Sequence, residues 1–395
     1  MLKPDTWLLT ILLASLTALG PLSTDMYLPA LPEILRELDT ANAAVQLTLS
    51  MFLVGFAVGQ IFYGPLADRL GRKPVLLTGL GIYAVASLAC TLAPTVEVLI
   101  AARFLQAFGA AGPVVLARAV VRDLYDGPRA GQELARMGSI MGLAPAVAPF
   151  FGGLISGAAG WRFVFLVSMV FAGIVILAVW RGLPETLARR DPTRFSLAAM
   201  LRGFAGLLRH GVFRAYLAIV TLTYCGLFAF ISGSSFVLQD IYGLAPSVYG
   251  IAFGLCAGAY VVGTVLGQRV APKRGAEVTI ALGTGLLALG GTAMLVALLA
   301  TPSAAAVVLP MMIYMVGVGL VLPQSQAAAL MPFPERAGTA SSLMGIGQMG
   351  TAAVVGIGVS ATLGGAGVAL GAIIAALGLA ALAVFWATRH MRLTG

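Results

Sequence analysis

Two charged residues fall inside otherwise apolar runs, and they are where chemistry is expected first. Asp25 stands 18 residues after Trp7, or ~27 Å along a helix. Arg103 stands 7 residues beyond Val96, ~10 Å into its own run by the same rise. With the first helix running to about Pro32, Asp25 lies ~10 Å from that same surface, so the pair can meet in a central cavity. A charge at mid-membrane costs ~2.5–3.5 kcal/mol on insertion scales, which makes each retained one a functional candidate. Solvent access and the distance to a cation together switch a buried carboxylate between protonation states. Asp25 is therefore expected to take up and release a proton, with Arg103 as its permanently charged partner. Plainer roles stay open: Asp25 as a cap at a helix end, Arg103 as a bridge to backbone carbonyls. A single buried acid implies about one proton per cycle, worth ~2.3 kcal/mol per 100 mV of membrane potential.

Further groups are read from residue type and position. Asp68, Arg72 and Asp123 gather at the ends of their runs, where a carboxylate also suits the N-terminus of a helix beginning near Glu335 to Gly338. Pro145 and Pro149 are one turn apart and lead into Gly152 and Gly153; proline frees backbone groups and glycine allows close helix approach. A binding cavity should be apolar with few convergent polar groups. The candidates are Tyr27, Gln46, Gln106, Tyr224, Ser232, Gln239, Asp240, Tyr260, Gln324 and Gln348, each of which can equally be a satisfied packing group. Met51, Met141, Met311 and Phe228 offer adaptable or aromatic surface. Asp240 is expected at a solvated helix end.

The elements that must position these residues are membrane spans. The chain has 395 residues, 59% hydrophobic and 10% charged, against about 25% charged in soluble proteins. Apolar runs of spanning length occur near 7–30, 44–66, 74–94, 96–122, 135–158 and 161–183. A second set lies near 214–238, 246–271, 277–300, 303–327, 337–362 and 365–387. The runs are continuous rather than alternating, so an all-α membrane protein of twelve transmembrane helices is expected, not a barrel. The apolar N-terminal run is read as the first span, since no small-residue cleavage site follows it. Cys90, Cys225 and Cys256 all fall in apolar runs and read as packed side chains.

Net charge is +9, from 24 Lys+Arg and 15 Asp+Glu. With the N-terminus cytoplasmic, only Arg36 and Arg162 fall on the far side and Arg103 within a span. All other basic residues face the cytoplasm, as the positive-inside rule demands. Both termini are then cytoplasmic, and the basic balance needs no nucleic acid. The expected organisation is a six-helix bundle over 1–183, a cytoplasmic linker with an amphipathic helix over 184–213, and a second bundle over 214–395. In the linker, Leu197, Met200, Leu201, Phe204, Leu207 and Leu208 recur at helical spacing with Arg194, Arg202 and Arg209 between them. That pattern suits a helix lying in the interface. Gly59 and Gly71, 12 apart across one span junction, are echoed by Gly263 and Gly275, and Arg69, Arg72, Lys73 by Arg269, Lys273, Arg274. Duplicated halves suggest a carrier that alternates access by rocking.

These stretches resemble the major facilitator superfamily, and within it the Bcr/CflA-type drug/proton antiporters (bicyclomycin and chloramphenicol resistance transporters). GPLADRLGRKPVLL from Gly64 to Leu77 is similar to the superfamily's signature loop, RFLQAFGAAG from Arg103 to its fourth-helix motif, and APAVAPFFGG from Ala144 to its fifth-helix antiporter motif. LGPLSTDMYLPALP from Leu19 and LPQSQAAALMPFPERAGTASSLMG from Leu322 resemble the Bcr/CflA branch. The resemblance implies two pseudo-symmetric six-helix bundles and a gating network of Gly64, Asp68, Arg72 and Asp123 that latches one conformation. It implies a helix-five motif shared by exporters, at Pro145, Pro149, Gly152 and Gly153. Pro272 stands where Asp68 would align, so a full gating loop is expected in the first half alone.

Other classes fit poorly. No GxxxxGK[ST] occurs, and Lys3, Lys73 and Lys273 are the only lysines, which disfavours an ATP-driven pump. His210 and His390 lie outside the spans, leaving no in-membrane metal cluster or hydrolase base. The reading is a transporter rather than an enzyme: a proton-coupled multidrug or antibiotic efflux antiporter of the bacterial inner membrane. It is expected to work as a monomer with no cofactor and no metal, with protons, a small amphipathic drug and the lipid bilayer as partners. A proton-linked exporter or importer of an endogenous metabolite is the alternative.

Overall fold

The computed structural model describes residues 6–125, 127–187, 197–333, 336–362 and 367–393. These residues form helices and turns, with no strand among them. A backbone in hydrocarbon must satisfy its own hydrogen bonds, and continuous apolar runs do so as helices. Among the described residues, eleven helices are long and apolar enough to cross a membrane. The expected fifth span lies in a helix of 33 residues whose apolar stretch is Val147–Ala159.

Two compact units divide the chain: Met1–Phe195 with Pro246–Gly250, and Ser196–Ala245 with Ile251–Gly395. The first contains α1 (Trp7–Asp25), a 3₁₀ turn (Leu28–Ala30), α2 (Leu31–Glu37), α3 (Asn42–Leu70), α4 (Arg72–Thr91), α5 (Val96–Leu124), α6 (Gly127–Ala159) and α7 (Trp161–Gly182). In it α3 and α4 pack on α5, α4 on α7 and α1 on α6. The second contains α8 (Leu197–Leu208), α9 (Gly211–Ser235) with a π turn at Phe236–Ile241, and most of α10 (Pro246–Arg274). It also holds α11 (Ala276–Ala300), α12 (Ala304–Leu330), α13 (Ala337–Thr362), α14 (Gly367–Ala387) and α15 (Arg389–Leu393). There α11 packs on α12 and α14, and α9 packs on α12, α13 and α14.

The helices outrun their apolar stretches: α3 reaches Leu70 and α6 starts at Gly127, because intrahelical hydrogen bonding continues past the point where side chains turn polar. The first span departs from a single helix. Its α-helical run stops at Asp25 and resumes after a 3₁₀ turn, where Pro29 and Pro32 each remove a backbone donor. The glycine echo has a structural meaning inside each unit. A side chain at Gly59 of α3 would strike Phe108 and Ala111 of α5, and one at Gly263 of α10 would strike Val316 of α12. Gly71 and Gly275 join consecutive helices at φ +110° and +85°, a region that favours glycine.

Candidate functional site

Asp25 is the last residue of α1 and is buried, 6% exposed. Its carboxylate has no ion pair or hydrogen bond to any described side chain. Gly152 of α6 packs so closely on α1 that a Cβ there would strike the carbonyl of Met26, next to Asp25. Pro149, Gly152 and Gly153 are all buried, while the surroundings of Pro145 and Met141 lie outside the described residues.

Arg103 departs from its expected pairing with Asp25. The guanidinium is fully buried, and Nη1 donates to the Ser23 carbonyl at 3.0 Å and to Gln106 Oε1 at 2.6 Å. Three rings surround its Cζ, with centroids at 4.6 Å (Tyr27), 4.2 Å (Phe52) and 5.6 Å (Phe165), distances at which a ring face attracts a cation. Nε and Nη2 have no hydrogen-bond partner among the described residues. Matched depth did not bring the two charges together, because depth along a helix leaves the face unspecified. Arg103 instead meets the last turn of α1, where carbonyls lack helical partners and a cation is favoured. The expected plainer role, a bridge to backbone carbonyl, is the geometry found here.

Polar side chains extend this cluster across the first unit. Gln106 Nε2 donates to Ser87 Oγ at 2.8 Å, Ser23 Oγ and Tyr83 Oη lie 2.6 Å apart, and Tyr27 Oη and Thr48 Oγ1 2.8 Å apart. Hydrogen bonds thus tie α1, α3, α4 and α5 around one cation. Close packing sets its place: a Cβ at Gly55 of α3 would strike the carbonyl of Phe104, the residue after Arg103. Of the other candidate cavity residues, Gln46, Ser232 and Gln348 are buried, and Tyr224, Gln239, Tyr260 and Gln324 half-buried. Tyr224 Oη donates to the Met349 sulfur at 3.6 Å, Gln239 Nε2 to Ser235 Oγ at 2.7 Å, and Gln348 Nε2 to the Met344 carbonyl at 3.1 Å. Asp240 is exposed at the end of the π turn.

At the α3–α4 junction, Arg72 gathers both expected acids. Its Nε donates to Asp123 Oδ2 at 2.9 Å, and its Nη1 donates to Asp68 Oδ1 in a close contact. Asp68 is half exposed, and Gly64, a turn before it, has open space around its Cα. Sequence reasoning missed a third acid. Glu185, beyond α7, accepts from the backbone N–H of Arg72 at 2.8 Å and of Lys73 at 3.2 Å, and so caps α4 from 113 residues away. Burial pushes the Glu185 carboxyl up, but the backbone N–H groups of Leu187, Arg72, Lys73 and Thr186 outweigh it and hold the pKa below the usual glutamate range. Thr186 Oγ1 also donates to Asp123 Oδ2 at 3.1 Å, and Lys73 Nζ to the Trp180 carbonyl at 2.8 Å. The available signal was an acid at the start of a basic connector that also holds Asp191, on the side where α4 presents free N–H groups.

The second unit has a different clasp at the matching place. Arg392, on α15, grips Glu277 in the first turn of α11 with Nε at 3.0 Å and Nη2 at 3.1 Å. Tyr216 Oη donates to the same carboxylate at 2.6 Å, and Arg392 Nη1 to the Phe385 carbonyl at 2.7 Å. The Arg392 side chain is fully buried. Neither residue stood out by type or spacing. A second buried carboxylate was also missed. Glu133 of α6, 3% exposed, accepts from Thr10 Oγ1 in a close contact and from Arg136 at 3.2 Å. Asp25 is thus not the single buried acid, and the argument for one proton per cycle loses its premise.

The family model described as Major Facilitator Superfamily matches residues 13–357. The chain belongs to the Major Facilitator Superfamily. It is 35% identical over 347 residues to "Uncharacterized MFS-type transporter YdgK" of Bacillus subtilis (strain 168), covering 86% of this chain and 85% of that protein. It is 33% identical to the chloramphenicol resistance protein of Pseudomonas aeruginosa (84% and 79% covered). It is 31% identical to the bicyclomycin resistance protein homolog of Haemophilus influenzae (89% and 88%). A similar solved structure is the partially occluded, inward-open xylose transporter XylE from E. coli, with TM-score 0.75, 15% identity, and 96% and 97% covered. At that identity the likeness speaks for the fold. This is a multi-pass membrane transporter of that superfamily, not an enzyme.

Proposed function

We propose that this transporter is a proton-coupled efflux antiporter of small amphipathic compounds, antibiotics foremost, working by alternating access with Asp25 as the proton-coupling acid. The observation that carries this is the Asp25 carboxylate: buried within the first span, free of any compensating cation among the described residues, and beside the break in that span. An acid so placed can exchange its proton as water access and the distance to a cation change. Glu133, held by Arg136 and Thr10, is already compensated. Arg103 acts as a positioning residue, since it bonds the carbonyl two residues before Asp25. Relatives named for bicyclomycin and chloramphenicol resistance support export as the direction.

In this reading the protein works in the bacterial inner membrane with both termini cytoplasmic, as a monomer driven by the proton gradient, without cofactor, metal or nucleic acid. The Asp68–Arg72–Asp123 network serves as a latch on one conformation. The test is a drug-susceptibility panel in an efflux-deficient bacterium, comparing the intact chain with Asp25→Asn at matched expression. Resistance lost in the variant supports both export and the assigned acid. Resistance that survives sinks Asp25 as the coupling residue, and resistance to nothing moves the reading to a metabolite carrier.

A further inference from the structure

The short helix α8 has three distinct faces. Phe204 and Leu207 are buried with Met200 half-buried, against the starts of α9 and α13. Next around the helix come Leu201 and Leu208, two turns apart, 54% and 41% exposed. Beyond them Arg202 and Arg209, also two turns apart, are exposed. Gly203 lies against Thr339 and Gly206 near Arg336, so α8 meets the very first residues of α13. His210 and Phe213 pack edge-on against Phe333 at 4.9 and 5.9 Å, which pins the tight corner between α8 and the span α9. Among the described residues α8, a helix ~18 Å long, packs on α9 and α13 and meets α13 at its first residues, so it crosses the end of that span instead of running along it.

We infer that α8 is a docking surface for anionic phospholipid: Leu201 and Leu208 enter the headgroup–acyl boundary and Arg202 and Arg209 bind the phosphate layer. The occupant follows from three features. The corner at Arg209–His210 fixes α8 at the level where α9 enters the bilayer. The exposed leucines lie between the packed face and the arginines, the order that an interfacial helix presents to a membrane. The ridge is basic, with Arg336 adding to it, so a surface with negative headgroups is its complement. A soluble protein partner would have no reason to be met at that depth.

The test uses the full-length chain in nanodiscs, with Leu208→Cys labelled by a fluorophore. The native Cys90, Cys225 and Cys256 are all buried, which keeps labelling selective. Quenching is measured with headgroup-nitroxide lipid, carried on phosphatidylglycerol or on phosphatidylcholine. The expected result is quenching by both, with phosphatidylglycerol preferred on the order of tenfold, and loss of that preference alone in Arg202→Gln/Arg209→Gln. Absence of quenching shows that α8 faces water or a protein and overturns the proposal. Equal quenching by the two lipids, or a preference untouched by the double variant, overturns recognition of the anionic headgroup. None of these outcomes depends on transport or on Asp25.

Discussion

At the scale of single residues, the site turns on three buried charges treated differently. Glu133 is neutralised by Arg136 and Thr10, Asp25 has no such partner, and Arg103 is a cation held by rings and carbonyl oxygens without an acid. Arg103 does two jobs that depend on its shape. The planar guanidinium lies among Tyr27, Phe52 and Phe165 while one nitrogen reaches both Ser23 and Gln106. Lysine keeps the charge but has no plane to stack among the three rings. Arg103→Lys is therefore expected to lower transport at least tenfold, corresponding to ~1.4 kcal/mol, while leaving folding and expression near normal. Transport assayed in proteoliposomes beside a size-exclusion profile checks this. Full activity in the lysine variant would reduce Arg103 to a point charge and remove its positioning role.

At the scale of elements, each unit ties the segment after its last span to the N-terminus of its third. The first does so with Glu185 on the N–H groups of α4, the second with Arg392 on Glu277 of α11. The two clasps differ in burial. Asp68 is half exposed beside a largely buried Arg72, whereas the Arg392 side chain is fully buried and bidentate on Glu277, which is 31% exposed. Removing Arg392 leaves a partly exposed Glu277 with Tyr216 as its remaining partner, so the cost stays below the ~3 kcal/mol of a fully buried pair. Arg392→Met is thus expected to lower the apparent melting midpoint by several degrees, and Arg392→Met/Glu277→Leu to recover much of the loss. A double variant no better than the single one would mean the pair contributes through something other than charge. This clasp also marks where sequence reading stopped. The spans were legible because hydropathy is local, whereas the Asp68–Arg72–Asp123 network was implied by the family resemblance and not by spacing, since Asp68 lies in the last turn of α3 and Arg72 begins α4. Glu277 and Arg392 are 115 residues apart, Thr10 and Glu133 are 123, and only packing brings them together. The Asp25–Arg103 pairing failed for the converse reason, since a pattern of depths carries no information on which faces meet.

At the scale of the whole molecule, basic residues gather at particular span ends in each unit. Arg69, Arg72 and Lys73 mark the α3–α4 junction, Arg118 and Arg122 the end of α5, Arg269, Lys273 and Arg274 the end of α10, and Arg389 and Arg392 the C-terminus. The opposite ends of the first unit's spans hold Arg36 and Arg162, and Arg162 is already paired with Glu37, which also accepts from Trp161. Insertion follows the count of Lys and Arg near span ends, with acidic residues counting little. In the proposed reading, this sorting puts the α3–α4 junction and the C-terminus inside. Two fusions to the full chain check it. A green-fluorescent domain after the C-terminus is expected to fluoresce, since it matures in the cytoplasm. Alkaline phosphatase placed between α2 and α3, at Asp39, is expected to be active, since it folds only outside. The reverse pair of results would invert the orientation and put Asp68, Arg72 and Asp123 on the outer face, where a cytoplasmic latch has no meaning. A dark C-terminal fusion beside an active loop fusion would leave an odd number of crossings between Asp39 and the end replaced by an even one, and would require one of the assigned spans to be withdrawn.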